Sequence, residues 1–174
     1  MNIHMGFVSG AKRERGIIVA LFLSTYTNKI DKKGRVSVPA QFRSVLVGQN
    51  FPGIIAYPSF VYDCIEACGM DRIEKLSESI DSLDPYSEER DAFATSILGG
   101  CVQLSFDGDG RVVLPENLIA TAGLSDKAVF VGKGQTFEIW SPEIFEEYSS
   151  KAREFAKQKR GALQLNRRDL SGGA

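Results

Sequence analysis

At 174 residues the chain has room for one ordinary domain or two very small ones, which excludes a large multidomain enzyme. It is 43% hydrophobic and 25% charged, the balance of a soluble globular protein, and this rules out disorder along the whole chain. With 21 Lys and Arg against 22 Asp and Glu, a net charge of -1 gives no overall attraction to nucleic acid, so any such footprint has to be a local patch.

Residues 1–21 read as an N-terminal extension carrying the one histidine, His4. Its apolar run, Gly16 to Leu23, falls well short of the roughly 20 residues that span a membrane. Lys12, Arg13 and Arg15 before that run resemble the start of a signal peptide. The run is at the short limit for one and merges into a strand, so secretion is not expected.

A strand follows over Phe22 to Ile30, closed by the turn Asp31-Lys32-Lys33-Gly34. In such a tetrad the Asp side chain bonds the backbone two residues on and the Gly supplies positive φ. Next come a short strand, Arg35 to Val38, and a helix over Pro39 to Val47 that starts on a proline. Two strand-like runs, Ile54 to Tyr57 and Phe60 to Ile65, flank a turn at Pro58-Ser59. Met70, Ile73 and Ile80 then make the apolar stripe of a longer helix. A linking helix, Pro85 to Leu98 with Asp84 as its cap, ends this half.

The same order then repeats. Asp31-Lys32-Lys33-Gly34-Arg35-Val36-Ser37-Val38-Pro39 recurs 76 positions later, without a gap, as Asp107-Gly108-Asp109-Gly110-Arg111-Val112-Val113-Leu114-Pro115. Around it lie a strand, Cys101 to Phe106, a helix, Pro115 to Ala122 stopped by Gly123, and strands Ala128 to Val131 and Thr136 to Trp140. A final helix opens with Ser141-Pro142-Glu143 and carries Ile144, Tyr148, Ala152 and Phe155 on one stripe. The organisation is therefore residues 1–21 extension, 22–82 first repeat, 83–98 linking helix, 99–150 second repeat and 151–174 basic helix and tail. So few strands per copy cannot bury both faces, so the copies are expected to interlock in one mainly β barrel or sandwich with helices around it.

Catalytic chemistry finds little support. A triad would have to recruit His4 from the extension. Cys64, Cys68 and Cys101 are an odd set without framework spacing, read as buried thiols of a reducing compartment, and four zinc ligands cannot be assembled convincingly from them and His4. Asp107 and Asp109 suggest a calcium loop, but Arg111 and Leu118 stand where oxygen ligands belong. Gly132-Lys133-Gly134 is too short to cradle a phosphate. Asp31 and Asp107 each read as the cap of their own turn. No catalytic residue, metal or cofactor is expected.

Charge separates the copies. Residues 29–43 carry Lys29, Lys32, Lys33, Arg35 and Arg43 against Asp31, a net +4, whereas residues 105–119 carry Arg111 against Asp107, Asp109 and Glu116, a net -2. Charge alone leaves two readings open for the first copy, a phosphate-binding surface or a solvated turn in which Arg35 pairs with Asp31. A second basic cluster, from Lys151 to Arg168, extends the last helix. A footprint this small needs multiplication in an oligomer to bind well.

The doubled Asp-x-x-Gly-Arg-x-x-x-Pro motif, with the later run Val131 to Trp140, resembles the MraZ family of bacterial transcriptional regulators across roughly residues 22–150. The resemblance implies two SpoVT/AbrB-type swapped-hairpin β-barrel units per chain, a tandem pseudo-dimer that assembles into a ring-like homo-oligomer. It implies binding of double-stranded DNA, at short direct repeats in a promoter, by a cytoplasmic, nucleoid-associated protein without a membrane segment. The DNA-contacting loop maps to Lys32, Lys33 and Arg35, with Arg43 and Lys29 nearby, and the turn-shaping positions to Asp31, Gly34, Asp107 and Gly110. The second turn, with Gly108 and Asp109 for the lysines, is not expected to touch DNA. The rival reading is an AbrB-like protein-interaction or scaffold module in which DNA binding is secondary.

Overall fold

Strand exchange between the two copies builds the main sheet. The computed structural model describes residues 20–163; His4, Arg13 and the tail arginines Arg167 and Arg168 lie outside them. The first copy supplies β1 (Thr25–Lys29), β2 (Arg35–Ser37), α1 (Ala40–Val45), β3 (Gly53–Pro58), β4 (Ile65–Cys68) and α2 (Met70–Asp81). A connecting α3 (Glu88–Phe93) runs on as a π-helical turn, Ala94–Leu98. The second copy supplies β5 (Val102–Ser105), β6 (Arg111–Val113), α4 (Glu116–Thr121), β7 (Lys127–Gly132), β8 (Phe137–Trp140) and α5 (Pro142–Gln158).

The six-stranded antiparallel sheet has the order β1-β7-β8-β4-β3-β5, and β2 and β6 form a separate ribbon. Each copy's first strand thus pairs with the other copy's hairpin, β1 on β7 and β5 on β3. The order is its own mirror when the copies are exchanged, so a pseudo-two-fold axis passes between Glu66 and Glu138 in the sheet and between Val36 and Val112 in the ribbon. Hydrogen bonding runs through two separate open sheets rather than a closed barrel, and packing between them encloses the core.

Alternation explains the interior. Ile54, Ala56, Ile65, Ala67, Phe130, Phe137 and Ile139 face inward from the sheet, and Val36, Val38, Val112 and Leu114 close over them from the ribbon side. Phe42 from α1 and Leu118 from α4 plug the two ends of this core, both fully buried. The Phe42 ring sits 5.0 Å from Phe137 and 5.3 Å from Phe22, an aromatic cluster whose burial contributes about 1.5–3 kcal/mol per ring. The sheet's other face is covered by helices. Ile144, Phe145 and Tyr148 of α5 pack on Val129, Val131 and Trp140, while Ile73, Leu76 and Ile80 of α2 pack with Tyr57 and Ile97.

The sequence expectations need local correction. Phe22 to Ile30 is not one strand: Ser24 adopts φ 75°, so only β1 is regular, and Phe22 forms a separate bridge to Gly134. That break disrupts the ladder at a sheet edge, where bulges limit unwanted pairing. Phe60 to Cys64 is loop rather than strand, held by Ser59 and Cys64, and the return strand begins at Ile65. The linking helix begins at Glu88 with Ser87, not Asp84, as its N-cap; the Ser87 hydroxyl accepts from Arg90 N–H, and Asp84 instead caps a preceding turn by accepting from Tyr86 N–H. Pro39 and Pro115 are the caps of α1 and α4 rather than their first turns.

Candidate nucleic-acid interface

Both Asp-x-x-Gly turns are built by the same three hydrogen bonds to an aspartate. Asp31 Oδ1 accepts from Lys33 N–H at 2.8 Å and Arg35 N–H at 3.0 Å, and Oδ2 accepts from Arg35 Nε at 2.6 Å. Asp107 repeats this with Asp109 N–H at 2.9 Å, Arg111 N–H at 2.9 Å and Arg111 Nε at 2.8 Å. The N–H of Arg35 above all holds the Asp31 carboxyl below its ordinary value, and the N–H of Arg111 does so for Asp107. Gly34 and Gly110 close the turns at φ 75° and 72°, a region that disfavours side chains.

The ribbon then fixes what faces out. Val36 and Val112 point into the core, so Arg35, Ser37, Arg111 and Val113 alternate to the outside. The two arginines lie diagonally on one outward face, with a turn at either end of the ribbon. Their environments differ. Arg111 is also paired with Asp109, at 2.9 Å, so two carboxylates hold it; its hydrogen bond to Asp107 is the chief cause of its raised pKa. Arg35 has Asp31 alone, beside the exposed side chains of Lys32 and Lys33. Among the described residues neither lysine has an acid within ion-pair distance.

Strand pairing adds a residue that the linear sequence does not reveal. Lys127 opens β7 directly across from Lys29 at the end of β1, both exposed. Like charges so placed repel, and a bound polyanion relieves that cost. No local motif signals Lys127; only the exchange of β1 into the second copy brings it there. Lys127 thus sits beside Lys29, at the end of β1 that leads into the first turn with its Lys32, Lys33 and Arg35.

Arg43 does not join them. Its stem lies across Gly110, where an added Cβ would meet Arg43 carbons and nitrogen at 2.6–2.8 Å, and its guanidinium donates to the Val38 carbonyl. The counterpart of Arg43 is Ile119, whose methyl approaches Gly34 in the same manner. This position is thus a lid over the opposite copy's glycine, and Arg43 brings its charge to the second turn rather than the first.

A family described as "MraZ protein, putative antitoxin-like" matches residues 97–166. Transcriptional regulator MraZ of Rickettsia felis is 58% identical over 144 residues, which cover 83% of this chain and 97% of the relative. Those of Rickettsia bellii and Rickettsia akari are 59% and 57% identical over the same shares. The chain belongs to the MraZ family. Both MraZ turns fall inside the matched length, so the charge difference between them is set within a common framework.

Other chemistry is poorly provided for. Among the described residues no group of His, Cys, Asp and Glu could hold a metal ion, and no helix is long and apolar enough to cross a membrane. Burial pushes the thiols of Cys64 and Cys68 up to about 12, the reverse of what a nucleophilic cysteine needs. Glu66 and Glu138, opposed across the axis, are each satisfied within their own copy, Glu66 by Tyr57 and Ser59, Glu138 by Trp140 and Lys133.

Proposed function

We propose that this MraZ-family chain is a non-enzymatic transcriptional regulator that binds double-stranded DNA specifically through its first Asp-x-x-Gly-Arg turn. Arg35 reaches base edges or phosphates, and Lys32, Lys33 and Lys29 neutralise phosphates. Asp31 and Gly34 shape this turn, as Asp107 and Gly110 shape its twin. Arg43 supports the ribbon from the far side. The target is short direct promoter repeats upstream of the division and cell-wall gene cluster, read by a ring-like homo-oligomer in the cytoplasm at the nucleoid. Each chain contributes one active turn, and a ring multiplies it to match repeated sites. The two repeats, residues 22–82 and 99–150, act as an asymmetric pair in which the second buttresses the first.

One observation supports this most: two turns of the same hydrogen-bond geometry differ in that only the first presents lysines without acidic partners. Fluorescence anisotropy with DNA from upstream of the chain's own gene, against scrambled DNA across a salt series, tests it. Preference for the native sequence supports a specific regulator. Equal, steeply salt-dependent binding of both reduces it to a polyanion-binding surface. The second reading, a protein-interaction module, draws on the "antitoxin-like" description of the matched family. It predicts a stable heterocomplex recovered with the native chain, with DNA binding secondary, and binding to neither DNA would favour it.

A further inference from the structure

The end of α5 and a groove beside α2 are matched surfaces, each left open within the chain. The first half of α5 is held to the sheet through Ile144, Phe145 and Tyr148. From Lys151 to Leu163 every residue is exposed. Helical spacing continues the apolar stripe of Tyr148 into Ala152 and Phe155, yet Phe155 is 62% exposed. The packed stripe therefore runs out over nothing among the described residues. This overhang, residues 151–160, carries five basic side chains against Glu154, a net +4.

The groove has the opposite character. Phe60, Leu76, Ile80, Leu83, Phe93 and Ile97 line a trough of about 360 Å³ between α2, α3 and the β3–β4 loop. Phe60 and Phe93 are 58% and 41% exposed on its rim, with rings 6.2 Å apart. Residues 71–91, which include most of α2 and of α3, carry eight acidic side chains against three basic ones, a net -5. A basic helix with a projecting phenylalanine and an acidic segment with an open apolar trough are complementary in shape class and in charge.

We propose that the distal half of α5 of one chain docks in the α2–α3 groove of a second copy, with Phe155 packing onto the edge-to-face pair of Phe60 and Phe93. Helix and groove are different surfaces, so the contact is head-to-tail, and repetition closes a ring or extends a filament. This deepens the assembly named under the proposed function and rests on it. None of the residues named for this contact belongs to the Asp31–Arg35 turn.

Sedimentation of the full chain at micromolar concentration tests this with Phe155→Asp and Phe93→Asp. Both side chains are exposed, so the core is spared, and circular dichroism checks the fold. The wild-type chain is expected to form a multimer. Each variant alone should weaken assembly by about 30-fold or more, the loss of a central anchor. Mixed together, they should form two-chain species, because the intact helix of Phe93→Asp meets the intact groove of Phe155→Asp. If the wild type assembles and Phe155→Asp leaves its mass unchanged, this interface is wrong while the assembly reading survives. The same holds if Phe93→Asp alone leaves it unchanged. A monomeric wild type overturns both, and leaves DNA binding to be judged by its own titration.

Discussion

The two Asp-x-x-Gly-Arg turns share a skeleton and differ in field. In each, an aspartate accepts the same backbone and guanidinium hydrogen bonds, and a left-handed glycine closes the loop. In the second turn Asp109 occupies the place of Lys33 and takes a further hold on the arginine. Aspartate, glycine and arginine thus recur with the turn itself, while the two residues between aspartate and glycine are free to carry function. A recurrent arginine is by itself poor support for a binding site; Lys32 and Lys33 are what set the first turn apart.

The largest expected separation is between Arg35→Ala and Arg111→Ala. Each removes the partner of a turn aspartate, so thermal melts should shift by similar small amounts. Operator binding should fall by about 1–3 kcal/mol per site for Arg35→Ala and by less than about twofold for Arg111→Ala, measured by anisotropy. Equal losses would erase the functional difference between the turns.

Glycine replacement sharpens the structural side. An alanine Cβ at Gly34 would lie 2.9 Å from the Leu114 carbonyl, part of the backbone, whereas at Gly110 it would meet the movable Arg43 side chain. Both incur the left-handed penalty of about 1–2 kcal/mol. Urea unfolding should show Gly34→Ala costing about 1 kcal/mol more than Gly110→Ala. Lys127→Ala should act more weakly still, lowering the salt slope of DNA binding by about 1 and leaving stability unchanged.

Acid should treat the turns alike. Asp31 and Asp107 both titrate below their ordinary 3.8 in the folded chain, so their contribution is complete above that pH and is lost as pH falls through the lower folded values. Amide exchange or NMR titration of the Arg35 and Arg111 N–H groups should report the two losses together. A loss confined to one turn would show that their geometry is not shared in solution.

Much of this architecture was legible because the repeat is written in residues with fixed backbone duties. Asp, Gly and Pro mark turns and caps by local physics, so both turns, the ribbon strands and the short helices followed from one copy to the next. The repeat predicts that the copies interlock but not that β1 and β5 are exchanged, since a strand does not encode which hairpin it joins. Lys127 stayed hidden for that reason. Sequence proximity groups Arg43 with Lys32 and Lys33, whereas the fold lays it over Gly110 of the second turn, since an arginine one turn into α1 points toward whichever copy covers that end of the ribbon. Phe60, Val61 and Tyr62 read as a strand by composition, but the bonds from Ser59 and Cys64 hold them as an exposed loop. The positive φ at Ser24 had no sequence signal at all.

The most direct measurement exchanges the turns. Lys32→Gly with Lys33→Asp gives the first turn the residues of the second and leaves every fold-determining hydrogen bond in place. Anisotropy with the native upstream DNA at about 0.15 M salt should then show affinity reduced by at least about 10-fold, with the salt slope lowered by about 2 and the melting behaviour unchanged. Unchanged affinity and slope in a folded variant would contradict the assignment of DNA binding to the first turn.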